Sequence, residues 1–372
     1  MVTWRKLAAL TITLVVARLA VYAVIAQWFG GLADAMCQYD CGWYVRLATE
    51  GYMSDSTWDT LGPVPNWAFF PLFPLLIRAA EAVTRLRGEW AGLILANVLF
   101  VGFVLASVEY LRRTRPGLDP RLWVAFAVLF PFGFTFSAAY SESLFALLTI
   151  LVLLALQDRR MLLAAGLTAL LCATRPTGVL MIPIILAHVA VPLWRARLEA
   201  DIWARVGEAL LPLAVAPLGL SLYMLYQYFM IGDALAFSHV QLLWGREWTG
   251  PLNQLWNAFS AWDWQRVLAV NGDASSSYAA SWSVLGLAVA AGLAWRGRTI
   301  EAFLLAASVL LPLATATHSL PRFVATNPFF LFACASLLAR IASRRWVLVW
   351  GGLVPLQVVV ILGWFFAANT LY

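Results

Sequence analysis

Charge is scarce in this sequence: 12% of its 372 residues are Asp, Glu, Lys or Arg, whereas 62% are hydrophobic. Soluble globular domains carry about a quarter charged residues, so that class is excluded, and a mean hydropathy of +0.80 fits a polytopic membrane protein. Lysine occurs once, as Lys6. The net charge of +6 is carried by arginines in short clusters between apolar runs, where they set membrane orientation and do not indicate nucleic acid. Histidine is limited to His188, His239 and His318, too scattered to suggest a zinc site beside the cysteines. No Gly-rich nucleotide loop and no Walker motif occurs, which argues against sugar-nucleotide or ATP use. Of four cysteines, Cys172 and Cys334 fall in apolar runs and read as small core residues. Cys37 and Cys41 flank Asp40, and pair if their loop is oxidised.

What is abundant is long apolar sequence. Unsatisfied amides are too costly in lipid, so spans are helices or a closed barrel, and runs of ~20 apolar residues select helices. The expected fold is all-α, one integral membrane domain over 1–372 with about eleven spans: 8–29, 90–111, 121–138, 141–157, 161–175, 177–194, 207–230, 278–296, 299–317, 321–340 and 345–368. The run at 5–30 is too long for a signal peptide and is taken as the first span; Arg18 within it snorkels or faces the bundle. Segment 68–84, "AFFPLFPLLIRAAEAVT", is short, has two prolines and carries Arg78 and Glu81, so it reads as an interfacial or re-entrant helix. Leaving it unspanned puts 16 basic residues inside and 8 outside, and spanning it reverses that bias. The N-terminus is therefore expected in the cytoplasm and the C-terminus outside. Two long segments, 30–89 and 231–277, then face the exterior, together with short turns at 138–141, 175–177 and 318–321.

The unusual polar residues gather on that exterior face. Asp40 stands where the first exterior loop begins, near Trp43, Tyr44 and Tyr52 as interfacial anchors; it is either a general base held beside an acceptor hydroxyl or a solvated cap. Glu142 opens a span and either faces the bundle or serves as a helix-start acid, with Ser141 as cap. Arg175 and Arg322 sit where spans meet the exterior and suit a phosphodiester. Arg46 is placed to pair with Glu50 at i,i+4 or to join the substrate site. The 231–277 segment holds Asp233, His239, Trp244, Arg246, Trp262 and Trp264; its aromatics fit sugar rings as well as interfacial anchoring.

The stretches "YDCGWYVRLATEGY", "NWAFFPLFPLLIR", "SAAYSESLFALLT" and "ATRPTGVL", in this order over 38–180, resemble the PIG-V family of mannosyltransferases, which includes the eukaryotic enzyme adding the second mannose of the GPI anchor and bacterial members. "GDALAFSHVQLLWGREW" resembles a loop of the bacterial relatives. The resemblance implies a multispan glycosyltransferase of the GT-C superfamily. Its donor is a polyprenyl-phosphate sugar, its acceptor a glycan or glycolipid, and its partner phase the membrane lipid. Its catalytic base is an acid of the first exterior loop, here Asp40, preceded by Tyr39 where the family has Trp. Glu142 matches the second acidic motif and is expected to assist. Arg175, Arg322, Arg46, Tyr44, Trp244 and Arg246 are the expected substrate-binding residues. No cofactor is implied, although a divalent metal shared by Asp40 and Glu142 stays open. A single lysine amid many Ala, Arg and Leu suits a GC-rich bacterial genome, and the expected location is a bacterial inner membrane. The rival classes are a lipid transporter or flippase, and a non-catalytic subunit of a glycosyltransferase complex.

Overall fold

The computed structural model describes residues 3–53, 65–195, 202–260, 276–341 and 345–366. Every regular element among them is helical. Five stretches are long and apolar enough to cross a membrane: Trp4–Phe29, Gly88–Thr114, Pro176–Arg195, Ser276–Trp295 and Leu348–Phe365. Ala209–Val215 and Leu218–Ile231, bent by 44°, make a sixth if they form one span. The other expected spans are shorter or broken, and prolines are a main reason. Pro120–Leu129 gives way to a 3-10 turn at Pro131–Phe136, and the segment expected at 321–340 divides into Leu320–Ala325 and Pro328–Arg340. Proline lacks an N–H and clashes with the turn before it, so each such site ends one helix and begins the next.

The break before Pro131 leaves carbonyls without helical partners in an apolar interior. Arg18, only 3% exposed, supplies donors to them: Nη1 to Val128 O (3.1 Å) and Gly133 O (3.2 Å). Its Nη2 donates to Ser137 Oγ at 2.6 Å, and Gln357 Nε2 donates to Val128 O and Phe130 O, both at 3.0 Å. Arg18 thus faces the bundle and fastens a broken helix; it does not snorkel. Elsewhere helices approach closely. A Cβ on Gly219 would lie 1.8 Å from Ala169 O, so helix Leu218–Ile231 can rest on helix Met161–Cys172 only through a glycine.

Helix Leu72–Thr84 buries Phe73, Pro74 and Ile77 and packs between helices Asp40–Glu50 and Gly88–Thr114. It is a packed element of the bundle. The two ends of the bundle differ in chemistry. At one, Arg113 bridges Glu109 (2.8 Å) and Asp158 (2.6 Å), while Arg115 and Arg298 converge on Glu301 at 2.6 and 3.1 Å. Helices Gly88–Thr114 and Glu142–Gln157 run from that end to the other, where Asp40 and Glu142 stand.

Candidate active site

Four segments distant in sequence meet there. Asp40 opens helix Asp40–Glu50, Glu142 opens helix Glu142–Gln157, Arg175 precedes the turn Pro176–Met181, and Arg322 lies in the short helix Leu320–Ala325. Arg322 Nη1 donates to Asp40 Oδ2 at 2.8 Å, and its Nε lies 3.3 Å from Glu142 Oε1. Arg175 Nη2 donates to the same Oε1 at 2.7 Å. The result is an alternating chain, Asp40, Arg322, Glu142, Arg175. Its middle is buried and its ends are less so: side-chain exposure is 1% for Glu142, 3% for Arg322, 14% for Asp40 and 17% for Arg175. Charges this deep are tolerable only when paired. The guanidinium carbons also sit on aromatic faces, Arg322 at 5.1 Å from the Tyr140 centroid and Arg175 at 5.3 Å from Phe323. Among the described residues, Glu142 Oε2, by contrast, is buried without a hydrogen-bond partner, an arrangement that costs about 1–3 kcal/mol and more for a charged group.

The backbone beside two of these groups is strained. Tyr39, immediately before Asp40, has φ 48°, and Ser319, at the start of the Arg322 helix, has φ 67°. Non-glycine residues seldom adopt these values, and such strain collects at functional sites. Local ties hold the geometry: Tyr140 OH donates to Gln38 O at 2.9 Å, Tyr44 OH and Ser141 Oγ share a 2.9 Å hydrogen bond, and Cys37 and Cys41 form a disulfide. Ser141 makes no side-chain cap, because its hydroxyl is engaged by Tyr44. Burial pushes the Tyr44 phenol up to about 12, so it remains protonated. Trp43, Tyr44 and Tyr52 pack on neighbouring aromatics: Trp43 stacks on Phe69 (5.9 Å), Tyr44 meets Phe69 edge-on (5.1 Å), and Tyr52 stacks on Trp67 (4.5 Å).

A cavity of about 730 Å³ opens over this chain, and Asp40, Tyr44, Glu142, Arg175, Trp244, Arg246 and Arg322 all line it. Arg46 does not. It lies 3.5 Å from Glu50, both side chains more than half exposed, the i,i+4 pair that its spacing allows. Arg322 touches the cavity chiefly as the bridge between the two acids, which differs from a simple phosphate clamp. The second long segment helps to cover the site. Trp244 sits edge-on to Trp43 (5.9 Å) and Phe69 (6.2 Å), and Arg246 Nη2 donates to Ser319 Oγ at 3.4 Å; from the preceding helix, Tyr223 OH donates to Trp67 O at 2.8 Å. Trp262 and Trp264 lie outside the described residues. Among the lining groups three guanidiniums face two carboxylates, a balance that suits an anion. The place a divalent ion would need between Asp40 and Glu142 is taken by the Arg322 guanidinium, so that pair does not fit a metal.

His239, which also lines the cavity, bonds Asp233 through Nδ1 at 2.7 Å. His318 is a lining residue that sequence alone does not single out; the signal was its place in the turn leading to Arg322. Partial burial, then the charges of Arg246 and Arg322, lower its imidazole from 6.5 to about 4, against the opposing pull of Asp40. It is neutral at pH 7. As pH falls from about 6.5 toward 4, the unfolded chain gains a proton that the folded protein refuses, so the stability contributed by this group is lost across that window. Thermal unfolding measured from pH 7.5 to 4.5 is expected to show a shallower acid-side decline for His318→Gln than for the wild type; identical slopes would remove His318 as the source.

A scan against protein-family models finds no match for the chain, and a search of curated proteins finds none either. The resemblance over 38–180 therefore rests on its motifs alone.

Proposed function

We propose that the chain is an integral membrane glycosyltransferase moving mannose, or a similar hexose, from a polyprenyl-phosphate donor to an acceptor on the extracytoplasmic side. The observation that carries this reading is the meeting of Asp40, Glu142, Arg175 and Arg322, four positions scattered from residue 40 to 322, in one cavity with aromatic walls. The acceptor hydroxyl attacks the anomeric carbon from the face opposite the phosphate. The sugar–phosphate C–O bond breaks, the phosphate leaves as an anion, and the hydroxyl proton passes to Asp40. A leaving group already stable as an anion needs no acid, so one base and a cationic cradle suffice, unlike glycoside hydrolysis, which needs two carboxylates.

Arg322 orients the Asp40 carboxylate, while Arg175 and Arg246, both lining the cavity, take the phosphate. Glu142, which lines the cavity, assists by holding Arg175 and Arg322 in place through Oε1. The Cys37–Cys41 disulfide fits an oxidising exterior compartment, and the arginine-rich cluster at the opposite end of the bundle fits the cytoplasmic side. The bent pair Ala209–Val215 and Leu218–Ile231 is the feature a transporter would share. Purified protein in liposomes, given polyprenyl-phosphate mannose and an extract of lipid-linked and secreted glycans, is expected to yield a mannosylated product of inverted anomeric configuration by mass spectrometry. Lipid translocation with no glycosidic product would overturn transfer in favour of transport.

A further inference from the structure

The disulfide encloses the strained turn that presents Asp40. Between Cys37 and Cys41 lie Gln38, Tyr39 and Asp40, and three independent constraints act on those residues. Tyr39 holds φ 48°, ψ −114°, a conformation an L-residue abandons when its surroundings permit. The Gln38 carbonyl accepts from Tyr140 OH at 2.9 Å and from Cys41 N–H at 3.2 Å. Asp40 Oδ2 accepts from Arg322 Nη1 at 2.8 Å. Cys41 is fully buried, packed in the cluster that contains Met36, Tyr140 and Trp364. The cross-link therefore ties the strained turn to a fixed point of the core on its C-terminal side.

We infer that the Cys37–Cys41 disulfide is a positioning device for Asp40: it keeps Tyr39 in its strained conformation so that the carboxylate faces Arg322 and the cavity. This rests on the proposed role of Asp40 as base. A disulfide closing so short a loop constrains the unfolded chain little, so its effect is local geometry more than global stability. Opening it lets Tyr39 relax to negative φ. Asp40, the next residue, then swings with the start of its helix, and the pairing with Arg322 loosens. The redox step is balanced: a dithiol reductant such as dithiothreitol supplies two electrons and two protons to the S–S bond, giving two cysteine thiols while the reductant closes to its own disulfide.

The test compares wild type, dithiothreitol-treated wild type, the reoxidised sample and Cys37→Ser/Cys41→Ser in detergent. Two readouts are taken: mannose transfer from polyprenyl-phosphate mannose, and carbodiimide coupling of glycine amide to the Asp40 carboxyl, located by peptide mass spectrometry. The expected result is at least about a tenfold lower kcat with KM for the donor little changed, a several-fold rise in Asp40 labelling, a melting temperature within a few degrees of wild type, and return of both readouts on reoxidation. Asp40 labelling as low in Cys37→Ser/Cys41→Ser as in wild type overturns the inference. If no sample transfers mannose, the proposed function fails, while the labelling still decides the positioning role by itself.

Discussion

Asp40→Asn is expected to abolish transfer, with kcat lowered by about 10²–10⁴-fold, the range a positioned general base supplies, and with donor affinity nearly unchanged. The side chains are isosteric, and an asparagine carbonyl can still accept from Arg322 Nη1, which lies 2.8 Å from Asp40 Oδ2. What is lost is a site for the acceptor proton. The donor's phosphate, in the proposed function, is held by Arg175 and Arg246, whose guanidiniums bond Glu142 and Ser319. Single-turnover transfer and equilibrium binding of polyprenyl-phosphate mannose, measured on the same purified variant, separate the two effects. Full transfer by Asp40→Asn would remove it from the chemistry, and loss of donor binding would recast it as a binding group.

Much of this arrangement is visible in the linear sequence, for a physical reason. In a chain with so few charges, an acid beside an apolar run needs an explanation in structure or chemistry, and Asp40 and Glu142 stand out on that ground alone. Their mutual approach is not visible, because it depends on Arg322 entering between them from a helix near the other end of the chain. Arg322 therefore reads from sequence as a phosphate ligand and proves to be a bridge. Arg46 is the opposite case: its neighbour at i,i+4 was the better guide to its place than its nearness to Asp40.

Helix identity was legible from composition, but helix continuity was not. Hydropathy averages over the Phe130–Pro131 break, and the rescue of its carbonyls by Arg18 and Gln357 joins residues more than a hundred positions apart. The same limit applies to Trp43, Tyr44 and Tyr52. An aromatic next to a span has the composition of a lipid-interface anchor whether or not another loop packs over it, and here Phe69, Trp67 and Trp244 do.

Arg322→Met is expected to damage stability and activity together. The guanidinium, 3% exposed, neutralises Asp40 and adjoins Glu142, and methionine fills similar volume while supplying no charge. Glu142 keeps Arg175 at 2.7 Å, and Asp40 loses its 2.8 Å contact with Arg322 Nη1. Removing one partner of a buried ion pair costs about 3–5 kcal/mol; Asp40, 14% exposed, reaches the cavity and its water, which favours the low end. Adding Asp40→Asn to Arg322→Met removes the carboxylate charge that Arg322 balances and should recover a large part of that stability while transfer stays absent. Arg322→Lys should rescue less than charge alone suggests, since one ammonium cannot match the planar fork that touches both acids. Chemical denaturation in micelles, run on the single and double variants as a cycle, reads the coupling directly. Equal destabilisation by Arg322→Met with and without Asp40→Asn would mean that the ion pair contributes nothing, and that Arg322 is held by its aromatic contacts with Tyr140 and Phe323.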